Sequence, residues 1–255
     1  QKSWLINFNN KNYFQGANKI NLIIPVDRYY LIEELSNYRA KKLGLAVPPS
    51  KFVNLFVNGK REGVYWQVES FSKDILEKQN IPGDVNLYGS LDFWDAPGSQ
   101  YLDFVNIYSW KKYSQDSLSG VIDNYSDLKT FLDIVNNPSD EYFYNNIWNI
   151  LDKENFYSWV AQQYLVTSTH QSGANIRLYF ETTRGKFYFI PWDVSMFSTP
   201  PALTELNYNA VITRVLKNPE FLHERNAALW KYVGDDKNLE DDLKRYDELD
   251  ALTRN

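Results

Sequence analysis

The sequence contains no cysteine in its 255 residues, so it forms no disulfide and offers no thiol nucleophile or thiolate metal ligand. Histidine is almost as rare, with two residues, which leaves few imidazoles for acid–base chemistry. No apolar run approaches the ~20 residues of a membrane-spanning helix, and no signal peptide is visible. A Walker-type glycine-rich loop and a Gly-x-Ser-x-Gly motif are also missing, so P-loop and serine-hydrolase functions have no support.

An excess of positive charge is missing as well. The chain carries 27 Lys and Arg against 32 Asp and Glu, and this net charge of -5 argues against a nucleic-acid partner. Aromatic residues, in contrast, are abundant, with 19 Tyr, 15 Phe and 8 Trp. We expect most of these rings in the core, and any that stay exposed tend to mark binding surfaces. The chain begins at Gln1 inside a strand-like pattern, and we interpret it as a mature or trimmed fragment.

Hydrophobic periodicity predicts strands and one helix in the first ninety residues. An alternation of period two predicts strands at residues 3–8 and 19–24. Asp27 is predicted to cap the helix that follows, because Asp is a favoured residue at that position. Residues 52–69 are predicted to form a hairpin that turns at Asn58-Gly59, a pair typical of tight turns.

The second part of the chain is predicted to be mainly helical. Residues 89–123 lack a clear period and are interpreted as a loop-rich insertion. The acidic stretch from Glu240 to Asp250 lacks the spacing of a calcium loop and is interpreted as a solvated helix face. Helices are predicted at about 125–136, 139–151, 153–168 and 217–250.

The segment with the clearest chemical signal is an apolar hairpin predicted between Asn175 and about residue 193. Protein kinases use such a hairpin to present a catalytic Asp, an Asn five residues later, and an Asp after the next strand for Mg²⁺. Here Asn175 follows His170 by five residues and Asp193 ends the second strand, so the spacing fits with His in the first position. A structural role fits the spacing too, with Asp193 capping a turn and Asn175 bonding to backbone.

Seven separate segments carry a family resemblance, and they occur in the family's order. They are Lys2–Phe8, Asp27–Leu45, Phe52–Glu69, Asn86–Tyr88, Leu151–Phe156, Asn175–Tyr179 and Phe189–Asp193. Together they resemble the CotH (spore coat protein H) kinase family over nearly all of the chain outside residues 89–123. The Pro-Trp-Asp triplet that ends at Asp193 is the most specific of them.

The resemblance implies one domain with an α+β, atypical protein-kinase-like fold in two lobes. A small antiparallel-sheet lobe would cover residues 1–90, and a mainly helical lobe with the core hairpin would cover residues 91–255. ATP and Mg²⁺ would bind between the lobes, with Asp193 and Asn175 as metal ligands, and protein Ser or Thr would be phosphorylated. The resemblance also implies an extracellular, cell-surface or spore-coat location and a protein substrate or surface-assembly partner.

A kinase-like small lobe needs a cation for the triphosphate, usually oriented by a Glu. Lys2 and Lys19 are the strand lysines available, and Glu33 or Glu34 on the early helix could orient either. Glu69 ends an apolar strand and matches the family's Val-Glu, so it is predicted to contact the nucleotide. Solvated surface charges are the alternative for these residues. In the kinase interpretation, Asp193 should face one of the two lysines across the cleft.

Three positions depart from the family's pattern. His170 stands in place of an Asp, Ser195 in place of a common second Asp, and Ile32 in place of the usual Arg. A neutral His accepts a proton from a hydroxyl but is a poor ligand for Mg²⁺. These departures support a second hypothesis, a non-catalytic (pseudokinase) surface module that binds a protein or polysaccharide. Its platform would be the rings of the insertion, Trp94, Tyr101, Tyr108, Trp110 and Tyr113.

Overall fold

The protein has an α+β fold with two four-stranded antiparallel sheets. The computed structural model describes residues 2–8, 12–81, 85–91, 104–114, 124–168, 170–172, 175–194 and 210–254. Within these ranges, no helix combines the length and the apolar character that a bilayer crossing requires. The two sheets and the helices confirm the α+β class predicted from the sequence.

The first sheet has the strand order β1-β2-β4-β3. Its strands are β1 (Trp4–Asn7), β2 (Lys19–Ile23), β3 (Ser50–Val57) and β4 (Lys60–Glu69). The predicted hairpin turn is confirmed, because Asn58 and Gly59 join β3 to β4 with φ angles of 50° and 78°. Two successive positive φ angles give the turn a twist that matches the strands it connects.

Alternation along β2 gives the first sheet two different faces. Ile20 and Leu22 are buried in a small apolar cluster on one face. Asn21 and Ile23 point to the opposite face, and Ile23 lies opposite Trp66 of β4 in the register. We call this second face the cleft face, because the candidate site lies against it.

The helix after β2 begins later than the sequence predicts. Residues Pro25–Arg28 form a 3-10 turn, and α1 covers Ile32–Lys42. Between the 3-10 turn and α1, Tyr29 and Tyr30 adopt left-handed φ angles of 48° and 61°. This backbone conformation interrupts the helix. The prediction that Asp27 caps an α-helix is therefore wrong.

The second sheet contains the apolar hairpin predicted from the sequence and two further strands, in the order β6-β5-β7-β8. Its strands are β5 (Val85–Ser90), β6 (Trp110–Ser114), β7 (Arg177–Glu181) and β8 (Lys186–Ile190). The interpretation of residues 89–123 as loop-rich missed β6, which pairs with β5. Because β5 lies within residues 1–90 but pairs in the second sheet, a lobe boundary near residue 90 stays a prediction.

Helices cover the hairpin and bury it in the main core. The helices described after α1 are α2 (Asp74–Glu77), α3 (Ser126–Val135), α4 (Asp140–Ile150), α5 (Lys153–Val166), α6 (Ala210–Leu216), α7 (Pro219–Val233) and α8 (Asp236–Arg254). Phe189 of β8 stacks on Trp159 of α5 with ring centroids 4.1 Å apart. Both side chains are fully buried, as is Phe187, so the hairpin forms a rigid base for the groups at its open end.

The C-terminal helix α8 packs on α1. Asp242 accepts hydrogen bonds from Arg39 Nε at 2.7 Å and from the Tyr232 hydroxyl at 2.8 Å. Asp242 is buried, so the interpretation of this acidic stretch as a solvated face is wrong at that residue. Arg245 Nη2 lies 3.4 Å from Glu34 Oε1, which adds a contact at the start of α1.

Candidate functional site

Three polar residues meet at the open end of the buried hairpin. Asn175 Nδ2 lies 2.9 Å from His170 Nε2 and donates a hydrogen bond to Asp193 Oδ2 at 3.3 Å. His170 Nδ1 lies 3.7 Å from Asp193 Oδ1. The structure thus brings together the three residues that the spacing singled out, and their chemical roles stay predictions.

Backbone geometry aims these side chains at one another. Asn175 and Asp193 flank the hairpin with left-handed φ angles of 56° and 50°, a conformation that Asn and Asp tolerate better than most residues. The buried Gln171 Nε2 donates to the carbonyl of Asn175 at 3.0 Å and to that of Ile190 at 3.4 Å. Gln171 therefore fixes both ends of the hairpin. Sequence reasoning missed it, although it directly follows His170.

Asp193 lies at a small cavity beneath the cleft face of the first sheet. The cavity has a volume of about 150 Å³. Its described lining residues are Asn21, Ile23, Arg28, Glu33, Pro48, Trp66, Val68, Trp192 and Asp193. We call it the cleft cavity. Asp193 therefore faces the first sheet, as the kinase interpretation requires.

The cation beside Asp193 is Arg28, which the sequence interpretation did not select. Arg28 Nε lies 3.3 Å from Asp193 Oδ1. Lys2 is exposed and its ammonium lies over the ring of Trp4, 4.3 Å from the centroid. Lys19 is exposed too, and among the described residues neither lysine lines the cavity. The expectation that one of these lysines faces Asp193 is corrected to Arg28.

The remaining predicted nucleotide contact, Glu69, lies away from the cleft cavity. It is buried opposite Ile20 in the register, on the face of the sheet that does not line the cavity. There it forms an ion pair with Lys78. The geometry gives Glu69 a structural partner, and nucleotide contact by this residue stays a prediction without support from its position.

Glu33 is the acidic residue of α1 that reaches the site. Its two carboxyl oxygens lie 3.2 and 3.1 Å from the backbone nitrogen of Val194, which donates to them. Burial, and next to it the negative charge of Asp193, raise the pKa of Glu33 to about 8. Glu33 therefore orients the backbone after Asp193 and does not orient a lysine. Glu34 points elsewhere, and accepts from Trp66 Nε1 at 2.9 Å.

The described groups that face Asp193 do not fit a magnesium site. Mg²⁺ prefers oxygen ligands, often one or two carboxylates together with water and phosphate. Arg28 and the Asn175 amide nitrogen face the carboxylate instead, and both are donors. In the described part of the chain, no three His, Asp or Glu side chains are grouped so that they could hold a metal ion. Mg²⁺ binding by Asp193 and Asn175 stays a prediction that this arrangement does not support.

The aromatic platform proposed for a surface partner is only partly available. Trp110 is buried and packs edge-on against Phe104 in the core. Tyr108 is 83% exposed and Tyr113 is 39% exposed. The other two rings named for this platform, Trp94 and Tyr101, lie outside the described residues. Ser195, one of the departures from the family's pattern, lies outside them too. The described rings therefore give little support to a polysaccharide platform.

Comparison with known proteins agrees with the resemblance read from the sequence. The family model described as CotH kinase protein matches residues 1–248. The inner spore coat protein H of Bacillus subtilis (strain 168) is 25% identical over 195 residues, which make up 76% of this chain and 53% of that protein. The chain thus spans about half the length of this curated relative. Since the family model covers almost the whole sequence, this chain belongs to the CotH kinase family.

Proposed function

We propose that this chain is a kinase-like domain that binds ATP between the first sheet and the core hairpin and phosphorylates protein Ser or Thr. The convergence of His170 and Asn175 on Asp193, which lines the cleft cavity, carries the proposal. These residues have the order and the hairpin placement of a kinase active centre. The name of the similar Bacillus protein adds a spore coat as the setting, with other coat proteins as substrates or assembly partners.

The size of the cleft cavity indicates which part of a nucleotide it would take. Its volume of about 150 Å³ is below the ~300 Å³ at which cavities for drug-sized ligands begin. A phosphate group would therefore enter beside Arg28, and the base and ribose would need the first sheet to move away from the hairpin. Such opening and closing of a cleft is common in kinases.

Asn21 offers an isosteric test of ATP binding, because it lines the cleft cavity on β2. Asn21→Asp adds a negative charge where the phosphates would lie, and we expect ATP affinity in calorimetry to fall roughly tenfold or more. Asn54→Asp is the matched control: Asn54 is an exposed residue of β3 whose side chain accepts from Arg61, so a carboxylate is tolerated. Absence of ATP binding by the unmodified protein at millimolar nucleotide would contradict the proposal.

A second candidate function is nucleotide binding without phosphoryl transfer. His170 Nε2 faces the amide nitrogen of Asn175 at 2.9 Å, so its lone pair accepts that hydrogen bond. A base whose lone pair is occupied cannot take a proton from a substrate hydroxyl until this contact breaks. This contact favours the non-catalytic alternative, a pseudokinase.

Replacing His170 distinguishes the two functions. If the protein is a weakened kinase, His170→Asp restores the expected carboxylate and raises transfer of labelled phosphate from ATP to coat protein. If His170 acts as the base, the same variant lowers the transfer. A pseudokinase shows no transfer in either form while ATP binding persists. Calorimetry on the same samples separates lost binding from lost chemistry.

A further inference from the structure

Both oxygens of the Asp193 carboxylate face hydrogen-bond donors. Oδ1 lies 3.3 Å from Arg28 Nε and 3.7 Å from His170 Nδ1, and Oδ2 accepts from Asn175 at 3.3 Å. Because His170 Nε2 faces the amide nitrogen of Asn175, Nδ1 is the ring nitrogen on the side of Asp193, at a distance beyond a hydrogen bond. A metal ion at this carboxylate would have to displace a donor from one of its oxygens.

The other described groups that could bind a metal ion beside Asp193 already make contacts within the protein. Glu33, the second carboxyl group at the cavity, accepts the Val194 backbone N–H with both of its oxygens. His170 occupies the position where a second carboxylate would add negative charge for a metal. Among the described residues, the site therefore presents one uncommitted carboxylate to a cation, and a guanidinium already lies beside it.

Arg28 is positioned to hold a negative charge in the cavity. Its Nη1 donates to the carbonyl of Asp27 at 2.9 Å, within the 3-10 turn that precedes the left-handed Tyr29 and Tyr30. Among the described residues, no hydrogen-bond partner accepts from Arg28 Nη2, which leaves this nitrogen available to an anion. A guanidinium stays charged at all physiological pH values and matches the geometry of phosphate oxygens.

We propose that Arg28 takes the place of a divalent cation at Asp193, so that phosphate groups bind in the cleft cavity without a metal. The guanidinium neutralises Asp193 and donates to the phosphate oxygens at the same time. The nucleotide as ligand rests on the proposed function, whereas the exclusion of a metal from Asp193 rests on the charges and contacts alone.

Terbium luminescence tests the exclusion of a metal without any nucleotide. Trp66 and Trp192 line the cavity and would sensitise Tb³⁺ bound at Asp193. We expect Asp193→Asn to leave the Tb³⁺ emission of the unmodified protein unchanged, whereas Arg28→Gln gains a saturable emission of at least fivefold. Arg28→Lys keeps the charge and should show no gain. Saturable emission from the unmodified protein that disappears in Asp193→Asn would overturn the proposal.

Calorimetric titration with ATP tests the second part of the proposal, that phosphate groups bind in the cleft cavity without a metal. In the unmodified protein the affinity with excess EDTA should lie within about twofold of that with Mg²⁺, and Arg28→Gln should lose at least tenfold in EDTA. Binding that requires Mg²⁺ overturns the inference but leaves the proposed ATP binding intact. If ATP fails to bind under both conditions, the proposed function fails, and the Tb³⁺ experiment alone decides whether Arg28 keeps metal from Asp193.

Discussion

Glu33 combines burial, a neighbouring negative charge and two hydrogen bonds from one backbone N–H. Its relative exposure is 3%, and the pKa of its carboxyl group rises from 4.5 to about 8. Burial is the larger cause, because a charged carboxylate loses its hydration there. Near neutral pH the folded protein therefore holds a proton on Glu33 that the unfolded chain releases.

This difference predicts a pH-dependent stability. Between about pH 4.5 and 8 the folded state binds the extra proton, so the free energy of unfolding falls as pH rises, by at most ~1.4 kcal/mol per pH unit. Glu33→Gln removes the titrating group, and its urea-unfolding free energy should change less between pH 5 and 8. Glu77→Gln, at a half-exposed position of α2, is the control. Parallel pH curves for the protein and Glu33→Gln would contradict the raised pKa.

Sequence spacing found the part of the site that one hairpin carries. His170, Asn175 and Asp193 lie close along the chain, so an apolar hairpin with polar ends is enough to place them together. Arg28 could not be found in this way, because its contact with Asp193 joins two distant elements. The only local signal for Arg28 was its position in the segment Asp27–Leu45, which resembles the family.

At the scale of secondary structure, local patterns predicted most elements and failed where tertiary contacts decide. The helices α3, α4 and α5 agree with their apolar periodicity, and Asp152 caps α5 by accepting from the Asn155 backbone N–H. β6 was missed because its five residues gain strand structure by pairing with β5. Tyr29 and Tyr30 delay α1, since their left-handed backbone is not encoded by a glycine or a proline.

The position of α1 depends on α8, far along the chain. Leu31 and Leu35 pack against Leu249 in a separate apolar cluster. Arg39 and Arg245 add polar contacts between the same two helices. Because α1 carries Glu33 and begins shortly after Arg28, the C-terminal helix supports the side of the cleft cavity that faces Asp193. Apolar periodicity predicts both helices but not that they meet.

Across the whole molecule, Arg177 connects the ends of the two sheets. It is buried on β7, and its guanidinium lies 5.4 Å from the ring centroid of Phe71, which follows β4 of the first sheet. It also lies 5.8 Å from the ring of Trp192 and 5.9 Å from that of Tyr113. Gly89 makes room for this cluster, because a Cβ there would lie 2.9 Å from Arg177 Nη1. Trp192 is thereby held as a wall of the cleft cavity.

Arg177→Met tests whether this cluster holds the two sheets and the cavity together. Methionine keeps much of the side-chain volume but loses the cation–π contacts and the Nη1 hydrogen bonds to the carbonyls of Ser90 and Ile176. We expect the free energy of unfolding in urea to fall by about 2 kcal/mol. ATP affinity should fall as well, because Trp192 loses its support. Arg184→Met, in the exposed hairpin turn, should change neither quantity.

The outcomes separate the two roles of Arg177. Equal stability of Arg177→Met and Arg184→Met would show that the cluster does not hold the sheets together, since an exposed arginine would then matter as much as a buried one. Lower stability with unchanged ATP affinity would limit the role of Arg177 to stabilising the fold. In that case β8 alone would position the cavity wall. Loss of both, in a variant that still unfolds cooperatively, would tie ATP binding to the junction of the sheets.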